Sequence, residues 1–189
     1  YSLTFKASEI YYVRGSNQAV LEPAPDYFNL SGSKEYPFND VQTAVNIIQN
    51  TSHKGTIYID GCVEVEASGK ENVVDFNDDD GDIKIEGYSS NTSNGGTIKA
   101  KADSGQRVLG VWNGKVTLGN KLTITGGNFT GDCGGAIFND AELTLDGCII
   151  TGNSVTGTNS MGGALYCNKE SKTTIKAGTK ITSNTAKYG

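Results

Sequence analysis

The second half of the chain alternates apolar and polar residues in short bursts: Leu122-Thr123-Ile124-Thr125, Leu143-Thr144-Leu145, Thr173-Thr174-Ile175. A period of two sends successive side chains to opposite faces of extended backbone, so each burst predicts a strand. Helical periodicity is absent between Gly95 and Gly189. The bursts also recur as blocks. GGAIFNDAELTLDGCIITGN, which spans 134–153, returns as GGALYCNKESKTTIKAGTKITSN over 162–184. A weaker copy starts at Val108 and closes on Leu122-Thr123-Ile124-Thr125, with Gly127 near where an Asn would stand. Twenty-eight residues separate Gly134 from Gly162, and 26 separate Ile124 from Ile150.

A repeat of this length built from short strands predicts stacked coils, with each turn pairing strand to strand on the last, as in a parallel β-helix. A Gly-rich antiparallel sandwich is the competing architecture, but it gives no reason for a whole register to repeat. Stacking predicts three inward columns: Leu122/Cys148/Thr179, Ile124/Ile150/Ile181 and Leu118/Leu145/Ile175. Asn153 and Asn184 should bond along a turn column. The glycine pairs mark a corner that needs positive φ or close backbone approach.

The first 55 residues read differently. Ser2–Phe5 and Ile10–Val13 alternate as strands. A loop with Pro23 and Pro25 follows, from which Tyr27 and Phe28 should pack down. Residues 37–48 predict the one helix, with Val41, Ala44, Val45 and Ile48 on a single stripe and Asn39 and Gln42 as a capping box. An amphipathic helix here would close the open end of the stack. The expected organisation is therefore 1–55 as N-terminal strand, loop and capping helix, and 56–189 as β-helix. Within the second part, strands are expected at Gly55–Ile59, Cys62–Val65, Val73–Phe76, Ile83–Ile85, Thr97–Ala100 and Arg107–Trp112, with room for roughly five turns. Lys187-Tyr188-Gly189 matches the lead-in to another glycine pair, so the natural protein is expected to continue with further repeats.

Glycine supplies 25 of 189 residues and apolar residues only 36%, which suits a narrow core column better than a sphere. The net charge of −5 argues against a nucleic-acid or anionic-membrane surface. No apolar run approaches the ~20 residues of a membrane helix. The chain starts at Tyr1, which suggests a processed segment.

The Gly-Gly-Ala-Ile opening with its closing Ile-x-x-Asn resembles the repeats of chlamydial polymorphic outer-membrane proteins and related spirochaete surface proteins. The helix over 40–49 followed by Gly-Thr-Ile-Tyr-Ile resembles the N-terminal cap of pectin-lyase-like right-handed β-helices. The resemblance covers about residues 11–189, although Ile150 and Ile181 stand where those repeats often carry Phe. It implies a right-handed parallel β-helix in a secreted or outer-membrane-exposed bacterial protein, adhesin-like or a passenger segment. A host protein or a glycan is the partner it suggests.

The pectin-lyase-like fold also hosts lyases and glycosidases, so a carbohydrate-active enzyme or glycan-binding module is the alternative. Hydrolysis needs two carboxyl groups facing across a cleft. Asp132, Asp140, Glu142 and Asp146 are the carboxylates of the regular turns, and all are expected on a solvated outer face. His53, the sole histidine, sits in a helix-to-strand loop, and no Gly-His-Gly signature occurs. No catalytic residue is assigned and no cofactor is expected. Ca²⁺ is the one candidate ion, at Asp78, Asp80 and Asp82 in the acidic turn 77–82, although the spacing departs from the EF-hand pattern. Cys62, Cys133, Cys148 and Cys167 are even in number, so disulfides are allowed, but the inward place of Cys148 favours buried thiols. Trp112 aligns with Phe138 and Tyr166 as an aromatic stack along one face, inward or outward.

Overall fold

The computed structural model describes residues 10–15, 32–88 and 95–189. The strand expected at Ser2–Phe5 and the packing of Tyr27 and Phe28 fall outside them. Strand β1 (Ile10–Arg14) precedes helix α1 (Val41–Asn50). The first coil then runs through β2 (Lys54–Val65) and β3 (Asn72–Phe76). The second comprises β4 (Asp82–Tyr88), β5 (Gly96–Ala100) and β6 (Arg107–Val111). The third comprises β7 (Lys115–Leu118), β8 (Leu122–Thr125), β9 (Asn128–Phe129) and β10 (Ile137–Asn139). The fourth comprises β11 (Glu142–Leu145), β12 (Ile149–Thr151), β13 (Ser154–Val155) and β14 (Leu165–Cys167), and β15 (Lys172–Ile175) and β16 (Lys180–Thr182) follow.

All the strand pairings among the described residues are parallel, and they define a β-solenoid with three main faces. The first face stacks β1, the front of β2, β4, β7, β11 and β15; the second stacks the back of β2, β5, β8, β12 and β16. The third stacks β3, β6, β10 and β14, with β9 and β13 forming a short corner sheet. The result is four complete turns and two faces of another, against the roughly five expected. Two strands expected at 55–59 and 62–65 are one continuous strand, β2, which turns the corner at Gly61 with φ 75°.

Stacking places like residues on like. Ile57, Ile85, Leu118, Leu145 and Ile175 form one inward file. Val63, Ile98, Ile124, Ile150 and Ile181 form a second. Val74, Leu109, Ile137 and Leu165 form a third. Most of these side chains are fully buried, and each contributes roughly 1.5–3 kcal/mol of burial. The glycine pairs divide the two expected roles. Gly134 and Gly162 hold φ of 73° and 65°, while a Cβ on Gly135 would lie 2.2 Å from the Gly163 carbonyl oxygen.

Helix α1 buries the expected stripe of Val41, Ala44, Val45 and Ile48 against β1, β2 and β3. Its cap is Asp40 rather than Asn39: the Asp40 carboxylate accepts from the Gln42 and Thr43 amides. No Gln42 capping box closes, because that side chain reaches sideways to clasp β3. Its Nε2 donates to the Asp75 carbonyl at 3.1 Å, and its Oε1 accepts from the Asp75 amide at 2.7 Å.

Candidate functional site

The aromatic stack faces outward. On β10, Ile137 and Asn139 are buried while Phe138 between them is half-exposed, which fixes the direction by alternation. Phe138 and Tyr166 are Cα partners with rings stacked at 5.5 Å. Trp112 is not in their register: the partner of Phe138 is Gly110, and Trp112 lies two residues further on. Its ring nevertheless leans over to meet Phe138 at 4.9 Å. A Cβ on Gly110 would lie 2.6 Å from Asn72 Nδ2 and 2.8 Å from Asp75 Oδ1, so this position is kept bare by the polar pair beside the rings. The indole Nε1 donates to Asp75 Oδ1 at 2.9 Å, and Asn72 Nδ2 donates to the same oxygen at 2.7 Å.

Behind the stack lies Arg107, which is 3% exposed. Its guanidinium sits 3.6 Å from the Phe129 ring centroid and 5.2 Å from that of Phe138. Nη1 donates to Glu71 Oε2 and Asn72 Oδ1, both at 2.9 Å, while Nε and Nη2 share the Cys133 carbonyl at 3.2 and 3.0 Å. Burial lowers its pKa, partly offset by Glu71, but a guanidinium stays charged. Arg107 therefore bolts the third face to the corner before Gly134. Tyr166 reaches the same corner: the neighbouring Cys133, then burial, hold the phenol above its ordinary pKa. A polar row runs beside the aromatic one, where Asn168 Nδ2 donates to Asp140 Oδ1 at 2.7 Å.

The carboxylates of the regular turns are dispersed among contacts between coils. Glu142 pairs with Lys172 at 2.9 Å and Asp146 with Lys176 at 3.0 Å, while Asp132 accepts from the Asn159 amide. In the acidic turn, Asp78 Oδ2 lies 2.6 Å from His53 Nδ1, and Asp78 Oδ1 accepts from the Asp80 amide at 3.3 Å. Asp82 begins β4, beside Lys54 and Lys115 in the register. Among the described residues no three His, Cys, Asp or Glu side chains converge as a metal ion requires. The four cysteines are unpaired, and only Cys148 is buried; Cys62 and Cys133 are half-buried and Cys167 is exposed. The expectation of buried thiols therefore fails for three of them, because Cys62 and Cys133 lie outside the inward files and Cys167 sits on β14, which ends the third face among the described residues.

Sequence reasoning missed Arg107 and its partners. The available signal was that Arg107 is one of only two arginines and opens a strand with no other charge. It also missed a second outward aromatic group. Tyr12 and Tyr58 stack at 5.3 Å, Tyr88 meets both edge-on, and Lys34 Nζ lies 5.5 Å from the Tyr88 centroid.

The fold and this face define a parallel β-solenoid carrying an outward aromatic ladder. Compared with protein-family models, with curated proteins and with solved structures, the chain matches none. No helix among the described residues is long and apolar enough to cross a membrane.

Proposed function

We propose that this chain is a non-enzymatic interaction module of a bacterial surface or secreted protein, adhesin-like, which presents its third face to a host protein or glycan. The observation that carries the reading is the ladder Trp112–Phe138–Tyr166, three half-exposed rings in contact across three coils. Such a strip gives partner contact at low entropic cost and is flanked by polar groups that orient what lies on it. The reading also takes the winding as right-handed, the sense parallel crossovers prefer, and α1 as a cap over the first coil. The support for the cap is the helix stripe laid against β1–β3. The extracellular setting and the pectin-lyase-like kinship rest on the repeat and helix motifs alone.

The alternative is a carbohydrate-active enzyme or glycan-binding module. Asp75, Glu71 and Arg107 beside the rings favour a glycan contact, but Arg107 has four of its five N–H donors bonded within the protein and is shielded from solvent. Pectin, alginate and glycosaminoglycans incubated with the protein test both readings. The interaction reading expects no cleavage products, together with retention on one immobilised glycan or on host cells that Trp112→Ala/Tyr166→Ala abolishes. Accumulation of new reducing ends or unsaturated products would overturn it, as would retention indifferent to both substitutions.

A further inference from the structure

The first and third faces treat their carboxylates differently. On the first face one outward column alternates in sign along the stack: Lys54, Asp82, Lys115, Glu142, Lys172. Each carboxylate of that column has a lysine one coil away. The third face has no such arrangement. Residues 72–77, 107–112, 137–140 and 165–168 are its strands and the residue after each, and their charged side chains are Asp75, Arg107 and Asp140. Arg107 is buried and turned to Glu71, Asn72 and the Cys133 carbonyl. Asp75 and Asp140 are half-buried. Each meets its neighbours through Oδ1, Asp75 taking Trp112 and Asn72, Asp140 taking Asn168. Oδ2 of each has no hydrogen-bond or ion-pair partner among the described residues.

The rings between these carboxylates are committed to one another. Asp75, Gly110, Phe138 and Tyr166 share one register column, and Asp140 follows opposite Trp112 in the next. Phe138 has Trp112 against one face at 4.9 Å and Tyr166 against the other at 5.5 Å. The ladder therefore turns ring edges outward. Stacking on a sugar needs a free face, whereas the edge is the positive rim of the ring and suits aliphatic groups and peptide carbonyls. Two coils of ~4.8 Å and two residues of ~3.3 Å put the Cα atoms of Asp75 and Asp140 about 12 Å apart. Residues i and i+4 of an extended peptide lie about 13 Å apart on one face, with i+2 between them.

We propose that the ladder face takes an extended basic segment of a partner protein. Two Arg or Lys side chains four residues apart would pair with Asp75 and Asp140, and an aliphatic side chain between them would lie on the edges of Trp112 and Phe138. The proposal rests on the interaction reading of the ladder and chooses protein over glycan. The charges supply selectivity and the ring edges supply contact. A uronate or sulfated glycan would meet two carboxylates here and no outward cation.

Labelled peptides Arg-Thr-Leu-Thr-Arg and Glu-Thr-Leu-Thr-Glu, each flanked by glycines, test this by fluorescence anisotropy against the whole chain. The Arg peptide should bind saturably and the Glu peptide should not. Asp75→Asn/Asp140→Asn should weaken the Arg peptide about fivefold or more, within the range two ion pairs supply, and salt should erode the difference. An amide at 75 still accepts from Trp112 and Asn72, so the rings keep their places. Glu64→Gln, which removes a carboxylate from the second face, should leave the affinity unchanged. Far-UV circular dichroism verifies each fold, and the two-peptide comparison on the unaltered chain decides if a variant does not fold. The proposal is overturned if the Arg peptide does not bind saturably, or if Glu64→Gln weakens it as much as the double variant does. Ring-dependent retention of the unaltered chain on alginate would also overturn it, with an acidic glycan as the occupant. The interaction reading outlives these results wherever Trp112→Ala/Tyr166→Ala abolishes retention; peptide binding indifferent to that variant overturns both.

Discussion

The side-chain amide of Asn153 donates to the side-chain carbonyl of Asn184 one coil further on, across 2.9 Å. Asn153 also accepts from the Gly127 amide at 2.9 Å, so the polar column continues into a coil that has Gly127 where the later two have Asn. Asn153 is 1% exposed, and its Nδ2 also reaches the Thr151 carbonyl at 3.0 Å. Asn153→Ala strands these partners and should cost about 2–3 kcal/mol in urea unfolding. Asn153→Asp should not rescue it, because a carboxylate cannot donate to Asn184.

Arg107→Lys should destabilise by about 2 kcal/mol or more, since an ammonium reproduces neither the fork on the Cys133 carbonyl nor the stack on Phe129. Lys99→Ala, which breaks an exposed, solvent-screened pair with Glu64, should leave the midpoint almost unchanged. Thermal melts of the two variants side by side give the contrast; equal shifts would place Arg107 among the surface charges.

Position along a single file sets the cost of a core truncation. Ile150 and Ile181 are neighbours in the second-face file, 0% and 42% exposed. Ile150→Ala should cost about 2–5 kcal/mol, and Ile181→Ala a fraction of that, by denaturant midpoint.

The Glu142 carboxyl lies below its ordinary 4.5, first through its hydrogen bond with Lys172, then through the charges of Lys172 and Lys115. A depressed folded value means that the stabilisation is complete above 4.5 and is lost as pH falls through the folded pKa. A side-chain NMR titration should place the Glu142 midpoint below 4.5, and Lys172→Met should move it up.

Cys148, fully buried, has its thiol pushed up to about 11 by burial, whereas Cys167 is exposed. Iodoacetamide at mildly alkaline pH should modify Cys167 first and reach Cys148 only on unfolding, as read by mass spectrometry. Because the folded value exceeds the unfolded one, the Cys148 contribution is present below 9.0 and lost as pH rises towards 11.

Where one residue lies above its like, the chain announced the structure. Ile124, Ile150 and Ile181 carry both the alternation and the block repeat, and they stack as the pattern requires. The parts that were hidden lie where the spacing is uneven. Eleven residues separate Ile98 from Leu109, 13 separate Ile124 from Ile137 and 15 separate Ile150 from Leu165, because β9 and β13 enter the later corners. Aligning Trp112 with Phe138 at a constant period therefore missed by two residues. The same drift concealed the charged column, whose members are 28, 33, 27 and 30 residues apart. The outward direction of Phe138 needed the burial of Ile137 and Asn139, which local composition does not supply. Asp40 displaced Asn39 as cap because adjacent capping residues compete, and only geometry decides between them.

The column Lys54, Asp82, Lys115, Glu142, Lys172 also acts as a parity counter. Excising the layer headed by Lys115 would seat Glu142 on Asp82, whereas excising that layer and the next together would seat Lys172 on Asp82 and restore opposite signs. Shortening or lengthening of this stack, by recombination or by design, is thus favoured in even steps.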